Sequence, residues 1–133
     1  ANTLNVVIAQ RLVRRICTVC VSSYAPTEEA KESMKKQLAL YHADPARIKI
    51  PSQLYKGKGC QACSLTGYSG QIGIYEVLRV TPHIRELIKP SVSVDQLRVA
   101  AEEEGMRRMF EDGLAKAEAG ATTIEEIFRV IME

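Results

Sequence analysis

With 133 residues, 46% of them hydrophobic and 26% charged, the chain is sized for one compact globular domain or two small subdomains. No apolar run approaches the ~20 residues that span a bilayer, and the opening residues do not read as a signal peptide. The net charge of +2 is unevenly placed: residues 1–20 carry +3, residues 21–81 another +3, and residues 82–133 carry −4, so the two halves suit different partners.

The chain opens on Ala1 and enters apolar periodicity almost at once, as if its first helix continued from something upstream. Leu4, Val7, Ile8, Leu12 and Ile16 recur at i, i+3/i+4, which predicts an amphipathic helix over residues 3–16 capped by Asn2 or Thr3. Arg11, Arg14 and Arg15 then share one flank, read as a solvated basic face. Pro26-Thr27-Glu28-Glu29 starts a second helix running to about Tyr41, with Ala30, Met34, Leu38 and Tyr41 on one stripe. Met34 there reads as packing. Asp44-Pro45 marks a break or a short helical turn, and residues 53–56 a short strand. Ile72, Ile74, Val77, Leu78 and Val80 predict a largely buried strand over 71–79.

The acidic half reads as four short helices. Thr81-Pro82 opens 82–89, and Ser93-Val94-Asp95-Gln96 is a capping box for 94–104, stopped by Gly105. Residues 107–119 follow, tolerating Gly113 at roughly 1 kcal/mol relative to Ala and ending at Gly120. Thr122-Thr123-Ile124-Glu125 reads as a second capping box for the last helix. Helices that each bury one face imply a packed helical subdomain.

The chemistry-bearing residues are Cys17, Cys20, Cys60 and Cys63, two C-x-x-C pairs with no cysteine left over. Two intervening residues let a tight turn aim both sulfurs at one ion, and two such turns complete a tetrahedron. The long linker between the pairs costs little, because loop-closure entropy grows only logarithmically. A structural Zn²⁺ site is therefore favoured over a disulfide framework, which goes with secretion. It is also favoured over a redox motif, which needs one such pair at a strand–helix junction, and over buried free thiols. Four thiolates also suit iron, and the spacing does not separate the two metals. Arg14, Arg15, Lys56 and Lys58 flank the pairs and would offset the −2 of a zinc tetrathiolate. Cys17, at the expected helix C-terminus, would gain from a cation there.

Gly67, Gly70 and Gly73 match no phosphate-binding fingerprint. They read instead as positions of positive φ or close backbone approach. His42 and His83 lack a partner at catalytic spacing, and Glu102, Glu103 and Glu104 read as a solvated helix end. No catalytic or cofactor-binding constellation is found.

Ala9–Leu12 leading into the first C-x-x-C, then Gly59–Cys63, Gly67–Glu76 and Asp112–Glu126, resemble in order and spacing the ATPases of type II secretion and type IV pilus assembly. The resemblance covers almost the whole chain. It implies a hexameric cytoplasmic P-loop ATPase docked at the bacterial inner membrane, with homohexamer neighbours and membrane-platform components as partners. ATP and Mg²⁺ would belong to the longer parent protein. The family's phosphate loop, Mg²⁺ acid and catalytic glutamate lie upstream of such a stretch, so only the tetracysteine zinc set carries over: Cys17, Cys20, Cys60 and Cys63. Where the family often has Arg, this chain has Gln71.

The expected architecture is mixed, helix-rich α/β, with a tetracysteine zinc knuckle followed by a short strand and a helical subdomain. Its divisions are 1–16, the end of a motor-domain helix; 17–80, the metal-binding subdomain; and 81–133, the helical subdomain. The rival function is a free-standing zinc-ribbon module that binds nucleic acid, supported by the basic half. Scarce aromatics and the acidic half oppose it. A redox domain is the third.

Overall fold

A computed structural model of the chain describes residues 3–41 and 44–132; Asn2 and His42 lie outside them. Residues Val6–Ile16 form a strand, β1, not the expected helix. Their apolar spacing satisfies a helical period, but Val6, Val7, Ile8, Val13 and Ile16 are β-branched. Such side chains crowd the preceding turn of a helix and pack well on a pleated surface. The deciding partner is distant in sequence. The strand Tyr68–Arg79, here β4, runs antiparallel to β1 from Val6↔Arg79 to Ile16↔Tyr68, with a bulge between Arg14 and Ile16.

A second ribbon pairs Val21–Tyr24 (β2) antiparallel with Leu54–Gly57 (β3). The expected short strand at 53–56 is β3; its partner β2 carries no strand signal of its own. The excursion between them holds helix α1 (Glu28–Ala39) and a 3-10 turn at Pro45–Arg47. Four helices follow β4: α2 (Pro82–Leu87), α3 (Val94–Glu103), α4 (Met109–Glu118) and α5 (Ile124–Ile131). The fold is mixed α/β.

Capping is local chemistry and follows the sequence. Thr81 accepts the Ile84 amide ahead of Pro82, and Ser93 and Gln96 form a reciprocal capping box. The last helix differs by one residue. Thr123, not Thr122, is its cap, accepting the Glu126 amide at 3.2 Å.

Three apolar clusters hold the elements together. Leu38 of α1 and Leu54 of β3 pack with Phe110, Leu114 and Ile124, so the excursion shares a core with the C-terminal helices; Met34 packs against it, as expected. Val13 and Ile74 pack under Ile127 and Val130. Val80, Ile84, Ala100 and Ala101 form the third. Helices cover one face of the β1–β4 ribbon, so β4 is less buried than expected: of its residues only Ile74 is fully enclosed. Gly113 is favoured by packing and not merely tolerated, because a Cβ there would lie 2.8 Å from Ile127 Cδ1 and Ile127 would have to shift.

Glu102 is not part of a solvated end. It pairs with Arg47 at 3.2 Å and lies 3.7 Å from Arg108, while Glu111 holds Arg47 at 2.9 Å. Glu103 and Glu104 are exposed and match the solvated reading, Glu104 also accepting from the Thr81 hydroxyl at 2.8 Å. His83 is exposed on the first turn of α2.

Candidate metal centre

The two C-x-x-C turns occupy equivalent places in the topology. The chain leaves β1 through Cys17–Cys20 into β2, and returns from β3 through Cys60–Cys63 into β4. Both turns therefore sit where one ribbon hands over to the other. Backbone bonds fix the junction: Cys17 N–H donates to Gly67 C=O at 2.9 Å, and Lys58 N–H to Cys20 C=O at 3.1 Å. Cys17 follows a strand, so the helix-dipole argument for a cation beside it does not apply.

The four sulfurs converge, all lying within 4.8 Å of one another. The Cys17–Cys60, Cys20–Cys63 and Cys60–Cys63 separations are 3.8, 3.9 and 3.7 Å. A tetrahedron built on Zn–S bonds of about 2.3 Å has edges of about 3.8 Å, so the cage fits the ion. All four thiols are free of disulfides.

Backbone amides complete the cage. Gly59 N–H donates to Cys20 Sγ at 3.3 Å, Cys60 N–H to Cys63 Sγ at 3.3 Å, and Gly67 N–H to Cys63 Sγ at 3.2 Å. Such bonds favour thiolate over thiol. The Cys60 amide, helped by that of Gly67, holds Cys63 down at about 6. Desolvation pushes Cys20 up to about 11, with the neighbouring sulfurs adding. Four negative charges in so small a space oppose one another, and a divalent cation removes that conflict.

The expected glycine path is present at Gly67 and Gly70 but not at Gly73, where φ is not positive and a Cβ would meet the Tyr75 and Gln10 side chains rather than backbone. Gly67 and Gly70 have φ of +81° and +79°. A Cβ on Gly57 would sit 2.1 Å from Gly67 C=O, so the strands entering and leaving the second knuckle touch backbone to backbone.

Two of the flanking bases are engaged elsewhere. Lys56 sits over the Tyr24 ring. Arg14 lies over the Tyr68 ring at 4.1 Å and bonds Glu126 Oε2 at 3.1 Å. Strand geometry also puts Arg11 and Arg14 on opposite faces, so the basic flank expected of a helix does not exist. Gln71 stands opposite Arg14 in the register.

Sequence reading misses what ties this junction to the C-terminal helices. Thr122 Oγ1 donates to Arg14 C=O at 2.7 Å, Ile16 N–H donates to Ala121 C=O at 3.0 Å, and Tyr68 Oη meets Thr123 Oγ1 at 2.9 Å. Glu126, 2% exposed, accepts the Arg14 amide at 2.7 Å, the Arg14 guanidinium, and two bonds from Arg129 at 3.0 Å. Its carboxyl carries enough charge-assisted bonds to override its burial and stand at about 2. The one signal in the sequence is position: Glu126 is three residues after a Thr cap, within reach of Arg129 one turn on.

The model of the type II/IV secretion system protein family matches residues 1–129. The chain belongs to that family. Members similar to it include the type IV pilus assembly ATPase PilB of Thermus thermophilus, 38% identical over 96% of the chain and 13% of the relative. The type II secretion system protein E of Pseudomonas aeruginosa is 36% identical over 96% of the chain and 23% of the relative. The protein transport protein HofB homolog of Escherichia coli is 34% identical over 98% and 25%. This family member thus spans a quarter or less of these relatives' length, and its tetracysteine cage falls within the matched region. Among the described residues, no helix is long and apolar enough to cross a membrane.

Proposed function

We propose that this chain is the zinc-clasped part of a secretion or pilus-assembly ATPase, and that its metal is structural. The observation that carries the reading is the sulfur cage, sized for one zinc ion and placed where two strand ribbons exchange chains. Cys17, Cys20, Cys60 and Cys63 hold the ion. Zinc there would supply four bonds in a closed tetrahedral site and no redox chemistry. The protein's own groups do the rest: amides of Gly59, Cys60 and Gly67 stabilise the thiolates, and Glu126, Thr122 and Thr123 tie the knuckle to α5.

Within the longer protein, ATP and Mg²⁺ act outside this stretch, which carries no catalytic group of its own. The clasp keeps the β1–β4 ribbon, the β2–β3 ribbon and the C-terminal helices in one stiff body. Through that body, nucleotide-driven motion reaches neighbouring subunits of a hexamer or a platform component at the cytoplasmic side of the inner membrane. The support is the kinship with PilB and with type II secretion system protein E, together with the position of the cage. The test is Cys60→Ser combined with Cys63→Ser in a full-length ATPase carrying this segment. The reading expects loss of zinc, a weakened hexamer and failed secretion or piliation. Intact assembly and transport without zinc would remove the structural role.

A further inference from the structure

The sulfur cage is not evenly covered. Cys17 and Cys63 are buried, 2% and 7% exposed, whereas Cys20 and Cys60 are half-buried. Each C-x-x-C pair therefore has an inner and an outer member, and a small reagent arriving from solvent meets Cys20 or Cys60 first. Susceptibility to oxidants follows thiolate character and exposure.

What lies behind the two outer sulfurs differs. Cys20 Sγ accepts the Gly59 amide at 3.3 Å, and its neighbour at 3.9 Å, Cys63, belongs to the other knuckle. An amide bond stabilises a thiolate and blunts it as a nucleophile. Cys60 caps the 3-10 turn Gln61–Cys63, and Cys63 Sγ lies 3.7 Å away within that same turn. A sulfur three residues along the chain stays in reach even when the knuckles part, because closing so short a loop costs less entropy than closing a long one.

We propose that Cys60 is an oxidation site, and that a peroxide opens the clasp by joining Cys60 to Cys63. The inference rests on the reading of the cage as a zinc site. The Cys60 thiolate attacks one peroxide oxygen and the O–O bond breaks, leaving a sulfenic acid on Cys60 and releasing hydroxide. The Cys63 thiolate then attacks the Cys60 sulfur; the S–S bond forms, the S–O bond breaks and a second hydroxide leaves. Two electrons pass from the sulfurs to one peroxide, and the metal, which has no redox chemistry, departs as Zn²⁺.

Which sulfur becomes the partner decides the mechanical result. A Cys17–Cys60 or Cys20–Cys63 disulfide, from sulfurs 3.8 and 3.9 Å apart, would staple the two knuckles together. A Cys60–Cys63 disulfide lies within one knuckle, so it removes the metal tie between the ribbons and puts no covalent one in its place. The junction loosens reversibly, since a dithiol reductant returns both thiolates.

Hydrogen peroxide added to a zinc-loaded full-length ATPase carrying this segment tests the proposal. Zinc release is followed with a weak chromogenic chelator, and the oxidised positions by alkylation and peptide mass spectrometry. One zinc should leave for each Cys60–Cys63 disulfide formed, before Met132, 44% exposed, becomes a sulfoxide. A dithiol reductant with added zinc should restore the metal and the melting temperature. First oxidation at Cys20, a disulfide between the knuckles, or zinc held until Met132 is oxidised would overturn the proposal and leave the zinc reading intact. A protein that purifies without metal removes both.

Discussion

Glu126 shows how much one side chain does at the junction. It is buried, it bonds backbone and guanidinium of Arg14, and it holds Arg129. Its carboxyl falls from an ordinary 4.5 to about 2 in the fold; burial opposes that shift, and the bonds from Arg129 and Arg14 outweigh it. A carboxyl depressed on folding stabilises the native state above its unfolded pKa and loses that contribution as pH falls through its folded one. The window here is about 4.5 down to about 2. Glu126→Gln should lower stability at neutral pH by on the order of 3 kcal/mol. It should also flatten the acid limb of the stability curve, read by urea unfolding from about pH 7 to about pH 2.5. An unchanged acid limb would show that Glu126 does not carry it. Helical spacing alone would place Glu126 beside Arg129. It does not find Arg14, which lies 112 residues away and reaches Glu126 only once β1 exists.

Local signals are legible in the elements, and long-range ones are not. The caps at Thr81 and Ser93 and the extents of α2 to α5 follow from side chains within four residues of one another. β1 defeats a periodicity reading because its apolar spacing fits two periods, and what decides between them is a partner that begins at Tyr68. β2 is four residues long, with Ser22 and Ser23 at its centre, and owes its existence to β3. Gly113 separates propensity from packing. In an isolated helix Gly113→Ala would stabilise by about 1 kcal/mol, but the new methyl would meet Ile127. The substitution should lower the melting temperature, because overpacking costs about 1–3 kcal/mol; a rise would mean that α4 and α5 are loosely joined. Leu38→Ala tests whether the excursion belongs to the core. Leu38 is fully buried among Leu54, Phe110 and Ile124, so its truncation should cost about 2–5 kcal/mol, the range for a core leucine. The loss should appear in one global unfolding transition, whereas a separate early transition would make the excursion an independent unit.

Across the whole molecule, the cysteine spacing identifies the four residues that converge, while their setting comes only from the fold. The apolar periodicity of residues 3–16 places Cys17 after a helix; it stands at the handover between two ribbons, with the second knuckle held by the Gly57–Gly67 approach. One ion there would join segments 43 residues apart and tie them, through Arg14 and Glu126, to the last helix. Zinc content of the purified chain, measured with melting before and after a strong chelator, tests this most directly. The account expects one zinc per chain, four thiols titrating only after chelation, and a large fall in melting temperature when the metal leaves. A chain that purifies without metal, or melts at the same temperature with and without it, would contradict the account.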